Sequence, residues 1–118
     1  MTTNQDRFFR TRELDAVDML PGIQRRAVWL DHVMLTFFTF QPGSLVPEHA
    51  HEHEQITVVT RGAMAFSLGS ETRTLRAGEG VCIPPDVPHS ARILDEETEA
   101  YDACSPPRED YKPTGASG

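Results

Sequence analysis

Apolar residues along this chain recur in short alternating runs, and helical periodicity is scarce. From Arg7 to Leu20 the positions Phe8, Phe9, Leu14, Val17 and Leu20 recur loosely at helical spacing, a segment that also fits an extended chain. From Ile23 onward the pattern is that of strands, predicted at Gln24 to Leu30, Val33 to Phe40, Gln55 to Thr60, Ala63 to Leu68, Glu71 to Leu75, Gly80 to Ile83, Ser90 to Leu94 and Thr98 to Cys104. Turn chemistry separates them. Gln41-Pro42-Gly43-Ser44 joins a fixed φ to a permissive one, Arg61-Gly62 and Gly69-Ser70 suit hairpins, and Ala77-Gly78-Glu79-Gly80 suits a tight reversal. Pro84, Pro85 and Pro88 cannot sit in a central strand, so Ile83 to His89 is expected as an edge or rim loop.

Short strands without intervening helices predict an all-β single domain, a small barrel or two-sheet jelly roll spanning 23–112. Residues 1–22 are expected as an N-terminal extension packing on the barrel or on a dimer partner, and 113–118 as a disordered tail. The 118 residues suffice for one closed core. Cys82 and Cys104 are too few for a disulfide frame and too far apart for a CxxC pair, and both are expected reduced and buried. Eighteen acidic against 11 basic side chains, net −7, leave no basic footprint for nucleic acid. No apolar stretch approaches a bilayer span and the polar N-terminus does not read as a signal peptide, so a cytoplasmic location without a membrane partner is expected.

Histidine carries the chemistry. His49, His51 and His53 lie within five residues, and on an extended strand they share a face with Gln55. His89, at the rim loop, can join them if closure of the barrel lays the two segments side by side. His32 stands apart and is expected as an ordinary surface residue. Such a set suits one divalent transition metal per chain, Fe, Mn, Ni, Zn, Co or Cu, which the residues do not discriminate. Glu48, Glu52 and Glu54 alternate with the histidines and are expected as solvated acids on the other face.

These residues carry a family resemblance. Gly43, Pro47, His49, His51, Gln55 and Gly62 reproduce the spacing of the first cupin motif, and Gly78, Pro84 and His89 that of the second, so the chain resembles a single-domain cupin jelly-roll β-barrel. The stretch from Asp102 to Tyr111, DACSPPREDY, is similar to the ending of the cupins that ketonise unsaturated uronates in pectin degradation, and the small cupin polyketide cyclases look similar too. By that resemblance His49, His51, Gln55 and His89 hold the metal, while Asp102 and Arg108 line the substrate pocket, with His53 as a pocket or supporting residue. The resemblance departs at Cys104, where the sugar-ketonising cupins carry an aromatic residue, which implies a wider pocket and a bulkier, flatter compound.

The residues themselves assign further roles. On a strand from Thr98 to Cys104, Asp102 and Cys104 share a face with Ala100, which makes Asp102 the candidate acid–base group and Cys104 pocket lining. Arg108 follows two prolines that stiffen its backbone; its planar fork suits a substrate carboxylate or, equally, an ion pair with Glu109 or Asp110. Met64 and Phe66 alternate with small residues and line the core and pocket, and Phe37 to Phe40 is apolar on both faces, which calls for a second cover by homodimerisation. The leading function is a metal-dependent isomerase or cyclase acting on a small oxygenated substrate. A dioxygenase using Fe or Cu and O2, and a non-catalytic metal or small-molecule binder, are the competing readings.

Overall fold

The computed structural model describes residues 7–112, so the expected tail at 113–118 and the first six residues lie outside the described residues. Ten strands follow one another: β1 (Val17–Leu20), β2 (Ile23–Trp29), β3 (Met34–Phe40), β4 (Leu45–His49), β5 (Glu54–Arg61), β6 (Ala63–Leu68), β7 (Glu71–Arg76), β8 (Gly80–Ile83), β9 (His89–Ile93) and β10 (Thr98–Ser105). They form a six-stranded sheet in the order β1-β2-β3-β10-β5-β8 and a four-stranded sheet in the order β4-β9-β6-β7. The paired strands are antiparallel. The two sheets are the halves of a jelly roll, as the sequence pattern predicts, without hydrogen-bonded closure at their edges.

Alternation explains which residues meet inside. Along β3, Met34, Thr36, Phe38 and Phe40 are buried while Leu35, Phe37 and Thr39 face outward. The same period two on β10 buries Thr98, Ala100, Asp102 and Cys104. Between the sheets, Ile23, Phe38, Phe40, Val59, Met64, Phe66, Ile83 and Ile93 belong to one continuous core. The β5–β6 hairpin closes tightly at Gly62, whose φ is +83° and whose missing Cβ would collide with Thr98 Oγ1 and Glu97 O. Thr98 Oγ1 in turn accepts from Ala63 N at 3.1 Å, which locks the hairpin to β10.

Three local expectations are corrected. The helical reading of Arg7 to Leu20 gives way to a single 3₁₀ turn at Thr11–Glu13 followed by strand β1, because pairing with β2 satisfies the backbone better than an isolated short helix can. The histidine segment is not one extended strand: β4 ends at His49, β5 begins at Glu54, and 50–53 form the connection. Cys82 is exposed, because on β8 it takes the outward position opposite Ile56, whereas Cys104 is buried and both thiols are free.

The outer face of the six-stranded sheet keeps apolar groups in contact with solvent. Tyr101 is 38% exposed and Ile56 52% exposed, with Phe37 between Phe9 and Tyr101 at ring separations of 6.2 and 6.3 Å. Phe9 thus covers part of this face from the N-terminal segment. Among the described residues no helix is long and apolar enough to cross a membrane.

Candidate metal centre

Register brings the histidines together. β4 pairs with β9 so that His49 stands opposite His89, after an irregularity between Val46 and His49 that shifts the pairing. His89 is therefore the first residue of β9, placed by the ladder and not by the preceding loop. His51 lies in the connection to β5, and that connection is fixed from outside: Asp86 N, in the proline-rich loop, donates to His51 O at 2.8 Å. Ring separations are 4.2 Å for His49 and His89, 4.8 Å for His51 and His89, and 5.5 Å for His49 and His51. One nitrogen from each ring lies within 4.8 Å of the others.

Hydrogen bonds set the tautomers. Each Nδ1 faces a backbone carbonyl two residues away: His49 to Pro47 O at 2.9 Å, His51 to His53 O at 3.1 Å, His89 to Val87 O at 2.9 Å. With the N–H on Nδ1, the lone pair sits on Nε2 of every ring, the arrangement that metal-binding imidazoles use. Burial lowers the pKa of His51 and of His89, so both are neutral and free to ligate at neutral pH.

The opposite wall is the six-stranded sheet. Gln55 and Thr57 on β5 face Asp102 on β10 in a closed network: Gln55 Nε2 donates to Asp102 Oδ2 and to Thr57 Oγ1, each at 2.9 Å, and Thr57 Oγ1 donates to Asp102 Oδ1 at 2.8 Å. Those two acceptors orient the amide and aim Gln55 Oε1 at His51 Nε2, 3.0 Å away. Burial pushes the Asp102 carboxyl up to about 7, against the opposing influence of the Thr57 hydroxyl and of Arg108. Arg108 reaches the cleft while tied to its own turn. Its Nη2 lies 2.9 Å from Asp110 Oδ2, its Nη1 donates to Tyr111 Oη at 3.0 Å, and its guanidinium lies 4.1 Å from the centre of the Tyr111 ring. The ion pair with Asp110 and a place in the cleft wall thus coexist.

The donor set fits a cation. A neutral His51 ring has one N–H for two acceptors, His53 O and Gln55 Oε1, so one of these contacts sets lone pair against lone pair. His89 Nε2 is buried with no hydrogen-bond partner. A divalent ion held by His49, His51 and His89 with Gln55 Oε1 would satisfy both defects, and four neutral ligands leave it essentially its whole charge.

The cleft between these walls is narrow, with a cavity volume of about 50 Å³. His49, Gln55, His89, Asp102 and Arg108 are among the residues that line it, with Met64 and Phe66. His53 and Cys104 lie outside that lining. His53 turns its ring against His51, 5.4 Å away, and supports it through its carbonyl. Cys104 is buried one inward position beyond Asp102, its thiol pushed up to about 12 by burial and by the Asp102 carboxylate. His32 is exposed, as are Glu48, Glu52 and Glu54. The sequence reading missed Thr57, Met19 and Tyr111 in the cleft wall. Extending the period-two face of Gln55 by one step finds Thr57; the other two depend on tertiary placement.

The two-sheet jelly roll and the grouped histidines are those of a cupin, and sequence comparison shows it: the Cupin domain family matches residues 36–102, so this chain belongs to that family. It is similar to the pectin degradation protein KdgF of Dickeya dadantii, 28% identical over 107 residues, covering 89% of this chain and 97% of that protein. The solved structure of KdgF from Halomonas sp. superposes with a TM-score of 0.84 at 34% identity, covering 89% and 97% of the two chains. The polyketide synthase CurC of Streptomyces cyaneus is 37% identical over 68 residues, 56% of this chain and 44% of CurC.

Proposed function

We propose that this chain is a metal-dependent enzyme that moves a proton on a small oxygenated substrate, ketonising an enol or closing a ring, in the manner its likeness to KdgF and to CurC suggests. The observation that carries the reading is the grouping of one ring nitrogen each from His49, His51 and His89 within 4.8 Å of one another, with Gln55 Oε1 3.0 Å from His51 Nε2. An ion held by these residues would supply a Lewis acid for substrate oxygens. Asp102, beside Gln55 at the same end of the cleft, is the group we assign to the proton, and Arg108 the group that orients a substrate anion. No redox step is needed, which separates this reading from a dioxygenase.

Elemental mass spectrometry of the purified protein, beside His49→Ala/His51→Ala, tests the site: near one metal per chain, lost in the variant, is the expected result. With metal bound, Asp102→Asn is expected to keep the metal and to lose on the order of 10²–10⁴-fold in turnover of an unsaturated uronate or a polyketide enol. Unchanged turnover removes Asp102 from the mechanism, and oxygen uptake coupled to turnover moves the chain to the dioxygenases. We further propose a homodimer through the outer face at Phe37, Ile56 and Tyr101. Light scattering of Ile56→Glu/Tyr101→Glu, expected monomeric, tests it.

A further inference from the structure

Strand β2 carries a charged residue on its inward face. Arg25 stands opposite Phe38 of β3 and Val17 of β1, so its side chain leaves the sheet on the same side as the buried Phe38. An inward arginine is costly unless its donors find acceptors. Here they reach the 3₁₀ turn at Glu109–Tyr111: Arg25 Nη1 donates to Tyr111 O at 3.0 Å and Nη2 to Asp110 O at 3.2 Å, while Nε is buried without a partner. Those two carbonyls end a helical turn, where no following turn supplies N–H groups to them. The guanidinium also lies 4.7 Å from the centre of the Tyr111 ring, which the Phe38 ring meets in a T-shape at 6.1 Å.

The same turn carries Arg108. The partners of its guanidinium, Asp110 and Tyr111, lie two and three residues along the chain. Contacts so close in sequence shape the side chain but travel with the turn, and they do not fix where the turn sits on the barrel. We infer that Arg25 is a positioning residue for Arg108: by gripping the carbonyls of Asp110 and Tyr111 it seats the turn against β2, and through Tyr111 it keeps the Arg108 guanidinium at the cleft. Lys112, whose Nζ lies 5.5 Å from the centre of the Trp29 ring, adds a second attachment to the same strand. A planar fork suits this task because it meets two carbonyls at once in a fixed geometry, which the ammonium of lysine does not offer. The inference rests on the proposed role of Arg108 in orienting an anion, and it needs no metal.

The test follows the Nε–H signal of Arg108 in metal-free protein labelled with ¹⁵N at the arginine side chains, assigned by its loss in Arg108→Lys. On the seated turn this side chain is 16% exposed. In Arg25→Met, which keeps an apolar stem and removes the fork, it becomes accessible, and the proton is expected to exchange with water about tenfold faster. Arg25→Lys keeps the charge and loses the fork; it should fall between the two, and it carries the test if Arg25→Met does not fold. Formate, the smallest carboxylate, probes the function. It should shift the wild-type Arg108 signal saturably, and Arg25→Met should weaken its binding by about tenfold. Exchange at the wild-type rate in the folded variants, even beside a lowered melting temperature, makes Arg25 a structural support alone and overturns the proposal, as does formate bound undiminished. Faster exchange in the variants, with formate never moving the wild-type signal, keeps the positioning and refutes the anion-orienting role of Arg108.

Discussion

The two sheets present polar groups to the cleft in opposite conditions. On the six-stranded side, Gln55, Thr57 and Asp102 hold one another in a network that uses both amide hydrogens, the hydroxyl and both carboxylate oxygens. On the four-stranded side, the backbone fixes the Nδ1 edges of His49 and His89, and His89 Nε2 is left buried without a partner. A saturated network gives rigidity and a defined orientation, whereas an orphaned lone pair lowers stability until a ligand meets it. The contrast separates a wall whose polar groups satisfy one another from a wall that keeps an unsatisfied donor atom. Gln55 belongs to both, because its amide hydrogens face the network and its oxygen faces His51.

Each wall can be perturbed separately. The largest expected effect is the linkage of Asp102. With its folded pKa near 7 and an ordinary carboxyl near 4 when unfolded, the folded chain keeps a proton that the unfolded chain has released between those pH values. Stability of metal-free protein should therefore fall as pH rises from about 4 to about 7, by up to about 4 kcal/mol, and Asp102→Asn should flatten that slope. Urea midpoints of both proteins in chelator, measured at pH 5 and pH 8, check it. Parallel pH dependences would remove the buried charge from the account.

Metal release probes the other wall. At free metal a hundredfold above its dissociation constant, the ion should add about 3 kcal/mol and raise the melting temperature by about 10 °C or more. His89→Ala should melt at one temperature with or without metal, as followed by calorimetry. A smaller change is expected from Thr57→Val, which deletes the bridge between Gln55 and Asp102 and should cost about 1–3 kcal/mol in chemical denaturation. If Thr57→Val also weakens metal binding, the network orients Gln55 as a ligand; unchanged affinity would confine its role to stability. The smallest effect is a count: at pH 8 a thiol reagent should label Cys82 in the folded protein and leave Cys104, exposed on unfolding, untouched.

Much of this was legible in the chain. Period-two alternation located the strands around Phe38, Met64 and Asp102 because burial on one face of a sheet forces that period. The spacings from Gly43 to Gly62 and from Gly78 to His89 carried the candidate ligand set, of which the structure groups His49, His51 and His89. His49 and Gln55 do not share one strand face; they lie in different sheets and line one cleft because β4 pairs with β9 in the sheet opposite β5. The edge strand β4 was missed because Pro47 interrupts its pattern, which an edge tolerates.

By itself the sequence determined the class of fold, the candidate donor residues and the inward-facing position of Asp102, since these follow from local spacing and alternation. Only the tertiary structure decided that His49 faces His89, that Gln55 turns its oxygen outward from Asp102, that Arg108 is held by Asp110 and Tyr111, and that Met19 reaches the cleft. Those facts depend on strand register and on a bulge, which are set by pairings between residues far apart in the chain and leave no local period to read.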